Sequence, residues 1–208
     1  MRKVSEPTIN RLSLYLRLLI ELSEADVRTV SSDELASRSG TTAAQVRKDL
    51  SLFGTFGKRG LGYDVEELES RLREILGLER AWRVALVGAG RIGSALLGYE
   101  NFRQQGFHIE AVFDSDPDKV GQRWDGLVVE PDTELERVVA ARGIEIAVIA
   151  VPARSAQRIA DRLVGVGIRG ILNFAPTPLR VPPEVEVKTV DMAVEMEGLS
   201  YALTHPGS

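Results

Sequence analysis

From Ile9 onward, Leu12, Leu16 and Leu19 recur at three- and four-residue spacing with Ser13, Arg17 and Glu21 on another face. That period predicts an amphipathic helix. A second helix opens at Ser31, three residues before Glu34 in a capping-box pattern, and stops before Gly40. Thr42 and Gln45 repeat the pattern and open a third helix through about Phe53, ended by Gly54. The tight turn around Ser39 to Thr41 makes the pair a helix-turn-helix. On the third helix Val46, Leu50 and Phe53 share a narrow arc, while Ala44, Lys48 and Ser51 lie opposite with Arg47 beside them. The segment GTFGKRGLGY at 54–63 suits a β-hairpin or wing, because closely spaced glycines let backbone approach backbone. Asp64 and Glu67 then cap a fourth helix through Leu68, Leu72 and Ile75, and GLERA at 77–81 reads as a linker.

The pattern changes at Arg83. VALVG is a short apolar run entering a glycine-rich turn, as a buried parallel strand would. Further strands are expected at 107–113, 127–129, 146–151, 170–173 and 186–190, with helices around 91–98, 133–142 and 155–166. Alternation of strand and helix predicts a parallel sheet in an α/β domain. A last amphipathic helix is expected from Met192 to Leu203. The reading is therefore α/β overall: a winged helix-turn-helix domain over 1–80, a Rossmann-like domain over 81–190, and a C-terminal helix and tail over 191–208.

Length and composition fit this division, since 208 residues with 44% hydrophobic and 27% charged residues suffice for two ordinary cores. The chain reads as a globular cytosolic protein, with no run of about 20 apolar residues and no apolar N-terminal segment. It has no cysteine, which excludes disulfides and thiolate metal sites. No metal site is expected. The net charge of −4 is unevenly spread: residues 1–63 hold 10 Lys/Arg against 7 Asp/Glu (+3), and the remainder 16 against 23 (−7). Between Thr41 and Tyr63, Arg47, Lys48, Lys58 and Arg59 are opposed only by Asp49. Such a patch on an acidic protein suits a polyanion, or is simply a solvated face.

The sharpest chemical signal is VALVGAGRIGSAL, which sets Gly88, Gly90 and Gly93 in a GxGxxG pattern between a strand and a helix. In that context Gly88 permits the tight turn, Gly90 lets the backbone approach a pyrophosphate, and Gly93 allows close helix packing. Ala89, Arg91, Ile92 and Ser94 complete the turn, and Arg91 adds positive charge. Asp114, after AVF at the end of the second strand, is placed to accept hydrogen bonds from an adenosine ribose and to disfavour a 2′-phosphate. The strand ends AVP at 150–152 and NFAP at 173–176 fall on the same sheet edge. Val151, Pro152, Asn173 and Phe174 are therefore candidates for the nicotinamide half, or for plain turns.

Together QVRKDLSLFGTFGKRGLGY at 45–63, VGAGRIGSAL at 87–96 and ILNFAP at 171–176 closely resemble the Rex family of bacterial redox-sensing transcriptional repressors. The match spans nearly the whole chain. It implies a homodimer that senses NADH and NAD+, represses genes of anaerobic or respiratory NADH metabolism, and leaves an inverted-repeat operator in double-stranded DNA when NADH binds. By position it implies that Arg47, Lys48 and Ser51 are recognition-helix contacts and that Lys58, Arg59 and Gly60 form the wing. Tyr99 resembles a tyrosine beside the nicotinamide. Arg17 resembles an arginine pairing with an acid of the other subunit, here Asp191, and the helix that follows would be domain-swapped. Met192 departs from the family pattern, which has an aromatic there.

Two other readings share the same cofactor domain. A nicotinamide-dependent dehydrogenase needs a proton-exchanging group, and His108, at a strand start, and His205, near the C-terminus, are both poorly placed for that work. A basic helix-turn-helix also has no role in such an enzyme, so no catalytic residue is expected. The third reading is a DNA-binding protein sensing another nucleotide or a sugar phosphate.

Overall fold

The computed structural model describes residues 4–57 and 61–205. The chain divides into two compact units, Met1–Arg80 and Ala81–Ser208.

The first unit contains α1 (Glu6–Glu24), β1 (Thr29–Val30), α2 (Ser32–Ser39), α3 (Ala43–Ser51), β2 (Tyr63–Asp64) and α4 (Val65–Ile75). Side-chain oxygens of Ser5, Ser31, Thr42 and Asp64 accept from the amides of Thr8, Glu34, Gln45 and Glu67, so each helix begins on a satisfied cap. Gly40 closes α2 in the left-handed region at φ +68°. Leu12, Tyr15, Leu16 and Leu19 of α1 pack with Leu35 of α2, Val46 and Leu50 of α3, and Leu68 and Leu72 of α4. Burying each such leucine contributes roughly 1.5–3 kcal/mol. The third helix ends at Ser51, two residues short of the expected Phe53.

The expected hairpin takes a different form among the described residues. β2 pairs antiparallel with β1, Val30 opposite Tyr63 and Thr29 opposite Asp64, not with a strand of its own segment. Gly62, at φ +81°, makes the pairing possible, since a Cβ there would lie 2.5 Å from the Val30 carbonyl oxygen.

The second unit contains β3 (Trp82–Val87), α5 (Arg91–Leu97), α6 (Glu100–Gln104), β4 (Phe107–Asp114), β5 (Arg123–Trp124), β6 (Leu127–Pro131), a 3-10 turn (Asp132–Glu134), α7 (Leu135–Arg142), β7 (Ile146–Ile149), α8 (Ala153–Gly165), β8 (Gly170–Asn173), β9 (Glu186–Thr189) and α9 (Met192–Thr204). The sheet order is β5-β6-β4-β3-β7-β8-β9, parallel throughout except for β5 against β6. Without β5 this is the 3-2-1-4-5-6 order of the doubly wound dinucleotide-binding fold. Side chains alternate along β3: Ala85 and Val87 join the core with Leu135 and Val138 of α7 and Ile159 and Leu163 of α8, while Val84 and Leu86 join Leu97 and Val112 on the other face. The crossovers from β3 leave in opposite directions, so the carboxyl ends of β3 and β7 flank a crevice.

α9 departs from the amphipathic expectation. Met192, Met196, Leu199 and Leu203 form one apolar stripe and Val194 with Tyr201 a second, opposite stripe, and all six are exposed. Glu195 and Glu197 fall between the stripes on opposite sides, so no single polar face exists. Among the described residues no helix is long and apolar enough to cross a membrane.

Candidate dinucleotide cleft and DNA-binding helix

The glycine turn between β3 and α5 shows what each glycine does. Gly88 adopts φ +107°, and a Cβ there would lie 2.3 Å from the Ala150 carbonyl oxygen. A Cβ on Gly93 would lie 1.9 Å from the Gly88 carbonyl oxygen. Packing therefore demands both. Gly90 differs, since a Cβ there meets nothing within 4 Å. Its missing side chain serves no internal contact and leaves room on the cleft side, where a pyrophosphate would need to approach the backbone. Gly90 is also the cap of α5, and no side chain caps that helix, so its leading amides are left to external acceptors.

The cleft at this edge has a volume of about 690 Å³, within the usual range for small-molecule sites. Gly88, Gly90, Arg91 and Ile92 line it from the turn, Asp114 from β4, Val151 and Pro152 from the end of β7, and Phe174 from the end of β8. Ala89 lies behind the wall, buried, with its N–H donating to Asp114 Oδ2 at 2.7 Å. Ser94 is exposed on α5 with its amide bonded to the Gly90 carbonyl.

Asp114 is held on three sides. Besides the Ala89 amide, the Asp116 N–H donates to Oδ1 at 2.9 Å and Lys119 Nζ to Oδ2 at 3.3 Å. Burial alone would push the carboxyl up, but the Asp116 and Ala89 amides and the Lys119 ammonium outweigh it and hold the group below the usual carboxylate range. It is a fixed, charged acceptor in the cleft wall.

Besides Ala89, Gly93 and Ser94, two further expected residues, Asn173 and Tyr99, do not line the cleft. Asn173 is fully buried; its Nδ2 donates to the carbonyls of Ala175 and Thr177 at 3.2 and 2.9 Å, and its Oδ1 accepts from the Ala175 amide at 3.0 Å. All its polar atoms are spent bracing the loop that presents Phe174 and Pro176 to the cleft. Tyr99 is exposed between α5 and α6, edge-on to Phe102 at 5.2 Å. Conversely, Asp116, Lys119, Asp132, Ser155 and Arg158 line the cleft without having been singled out from the sequence. Asp116 and Lys119 carry a local signal, two and five residues after Asp114.

On the first unit, Arg47, Lys48 and Ser51 are all exposed on one side of α3. Arg47 Nη1 donates to Ser32 Oγ at 2.7 Å, and Ser51 Oγ turns back to the Lys48 carbonyl. Asp49, the one acid expected to dilute this patch, is instead 1% exposed and points into the unit. The outward face of α3 is therefore more cationic than the sequence count implies. Lys58, Arg59 and Gly60 lie outside the described residues. Arg17 is exposed on α1, and Asp191 caps α9 by accepting from the Ala193 amide at 2.9 Å.

Comparison with known proteins agrees with both halves. Residues 79–177 match the family model described as "CoA binding domain", and residues 3–51 match "Putative DNA-binding protein N-terminus". The chain is 48% identical to the redox-sensing transcriptional repressor Rex of Roseiflexus sp. (strain RS-1), covering 98% of this chain and 94% of that one. It is 50% identical to Rex of Carboxydothermus hydrogenoformans, covering 96% of each. Among solved structures it is similar to RSP in complex with beta-NAD+ and operator DNA, at 39% identity and a TM-score of 0.93 over 98% of this chain and 94% of that one. It is also similar to RSP in complex with beta-NADH, at 37% identity and 0.87 over 98% and 95%. These relatives are regulators, not enzymes, and the chain belongs to the Rex family of redox-sensing transcriptional repressors.

Proposed function

We propose that this chain is a cytoplasmic, homodimeric repressor that holds NADH or NAD+ in the cleft between β3 and β7 and an inverted-repeat operator on α3 and the wing. The observation that carries the cofactor half is the contrast among the three glycines. Gly88 and Gly93 are required by the protein's own packing, whereas no packing contact requires Gly90, which lines the cleft and leaves its backbone open to a ligand there. Asp114 then receives the adenosine ribose, and Val151, Pro152 and Phe174 offer an apolar wall to the nicotinamide. The RSP complexes with beta-NAD+ plus operator DNA and with beta-NADH support this assignment.

Reduced and oxidised nicotinamide differ mainly in that the oxidised ring carries a positive charge, which costs more to desolvate. An apolar wall that closes over the ring therefore favours the reduced form. A homodimer whose closed arrangement changes the spacing of its two recognition helices releases a two-fold-symmetric operator when NADH binds. Arg17 and Asp191 of opposite subunits, Tyr99 beside the nicotinamide, and a swapped α9 complete the proposal. The two apolar stripes of α9 supply the surface that such an exchange would bury on both sides. Operator binding titrated separately with NADH, NAD+ and their phosphorylated forms tests it: release by NADH at concentrations where NAD+ leaves the complex intact is expected. Equal release by both would remove the redox switch.

A further inference from the structure

Lys119 is shared between two carboxylates in the cleft wall, with Nζ 3.3 Å from Asp114 Oδ2 and 3.5 Å from Asp116 Oδ2. Its side chain is one third exposed. Asp114 does not depend on it for position, because the amides of Ala89 and Asp116 fix that carboxylate independently. Lys119 thus adds positive charge beside the ribose-recognising acid without being needed to position it. Two negative groups and one positive leave this end of the cleft with a net charge of about −1 at neutral pH.

The geometry points to Asp116 and Lys119 as residues that set cofactor specificity together: Asp116 shares Lys119 with Asp114, and so offsets the positive charge beside the ribose and keeps this end of the cleft closed to a 2′-phosphate. This rests on the dinucleotide reading of the cleft and deepens it. A carboxylate at the strand end is usually held sufficient to reject a 2′-phosphate. Here a lysine within reach would offset that repulsion if only one carboxylate held it. With Asp116 neutralised, local charge rises by one unit and Lys119 is left to divide itself between Asp114 and any phosphate entering beside it.

The test is the ratio of NADPH to NADH affinity, read by the fluorescence of the reduced cofactors on the full-length protein. Asp116→Asn should raise that ratio about tenfold, the order expected for one unit charge several ångströms away in a partly solvated site. Lys119→Met should lower it. In the double variant the effect of Asp116→Asn should shrink to threefold or less, because its main consequence is to free Lys119. The same rise in both backgrounds, or no rise in Asp116→Asn, overturns the inference while leaving NADH binding by the parent intact. A parent that binds neither cofactor overturns the dinucleotide reading, and this inference with it. A ratio is insensitive to partial loss of folded protein, so a merely structural role for either residue would not reproduce the pattern.

Discussion

Arg11 holds Asp49 through two parallel bonds, Nε to Oδ2 at 2.6 Å and Nη2 to Oδ1 at 2.7 Å, and so clamps α3 to α1. Tyr15 Oη donates to Oδ2 at 3.1 Å and Gln45 Nε2 to Oδ1 at 2.8 Å, which satisfies a carboxylate that is almost fully buried. The bonds fix where α3 lies, and hence where Arg47 and Lys48 point. Removing Arg11 leaves a buried charge with weaker partners. Because the Arg11 side chain is one quarter exposed, the cost should fall below the full buried-pair value, at roughly 2–3 kcal/mol. Urea unfolding of Arg11→Met checks this, and a change under about 0.5 kcal/mol would show that the clamp is not structural.

The same cluster predicts a pH dependence. Burial would push the Asp49 carboxyl up, but bonds from Arg11, Gln45 and Tyr15 outweigh it and leave the group below the usual range. A carboxyl lowered by folding contributes stability above its unfolded value, about 3.9, and that contribution is lost as pH falls through the folded value. The thermal midpoint of the parent should therefore exceed that of Asp49→Asn by a constant margin from pH 7 to 5, and the margin should narrow below about pH 4. A margin that stays constant down to pH 3 would contradict it.

The glycine turn separates stability from binding. Gly93→Ala places a methyl against the Gly88 carbonyl and should destabilise by roughly 1–3 kcal/mol. A Cβ at Gly90 meets nothing within 4 Å, so Gly90→Val should cost less than about 1 kcal/mol, yet it should abolish measurable NADH binding. Calorimetry on both variants decides the matter: intact NADH affinity in Gly90→Val would take the pyrophosphate away from this turn.

Much of this was legible because it is local. Caps at Ser31, Thr42 and Asp64, the stop at Gly40 and the strand-turn-helix around Gly88 each occupy a few consecutive residues whose types carry the physics. What was missed is non-local. β1 and β2 are two residues each, and Val30 meets Tyr63 only through the tertiary fold. Asp49 lies three residues after Val46 and one before Leu50, on the inward arc of α3; only the presence of Arg11 and Tyr15 on another helix explains why a charge is tolerated there. The place of Asn173 at a strand end fits either a ligand contact or a plain turn, and only the tertiary fold shows that its three side-chain hydrogen bonds turn back into its own loop.

On the DNA side, Arg47→Ala and Lys48→Ala should each weaken operator binding. If each side chain neutralises one phosphate, the slope of log affinity against log salt should fall by about 0.9 per substitution. Parent-like affinity and slope in both variants would move the interface off this face of α3.

If cofactor and operator select different arrangements of one dimer, their coupling is reciprocal. The most direct measurement is NADH affinity with and without saturating operator DNA, set beside operator affinity with and without saturating NADH. Operator should weaken NADH binding by the same factor by which NADH weakens operator binding; equal NADH affinities in the presence and absence of operator would contradict this coupling.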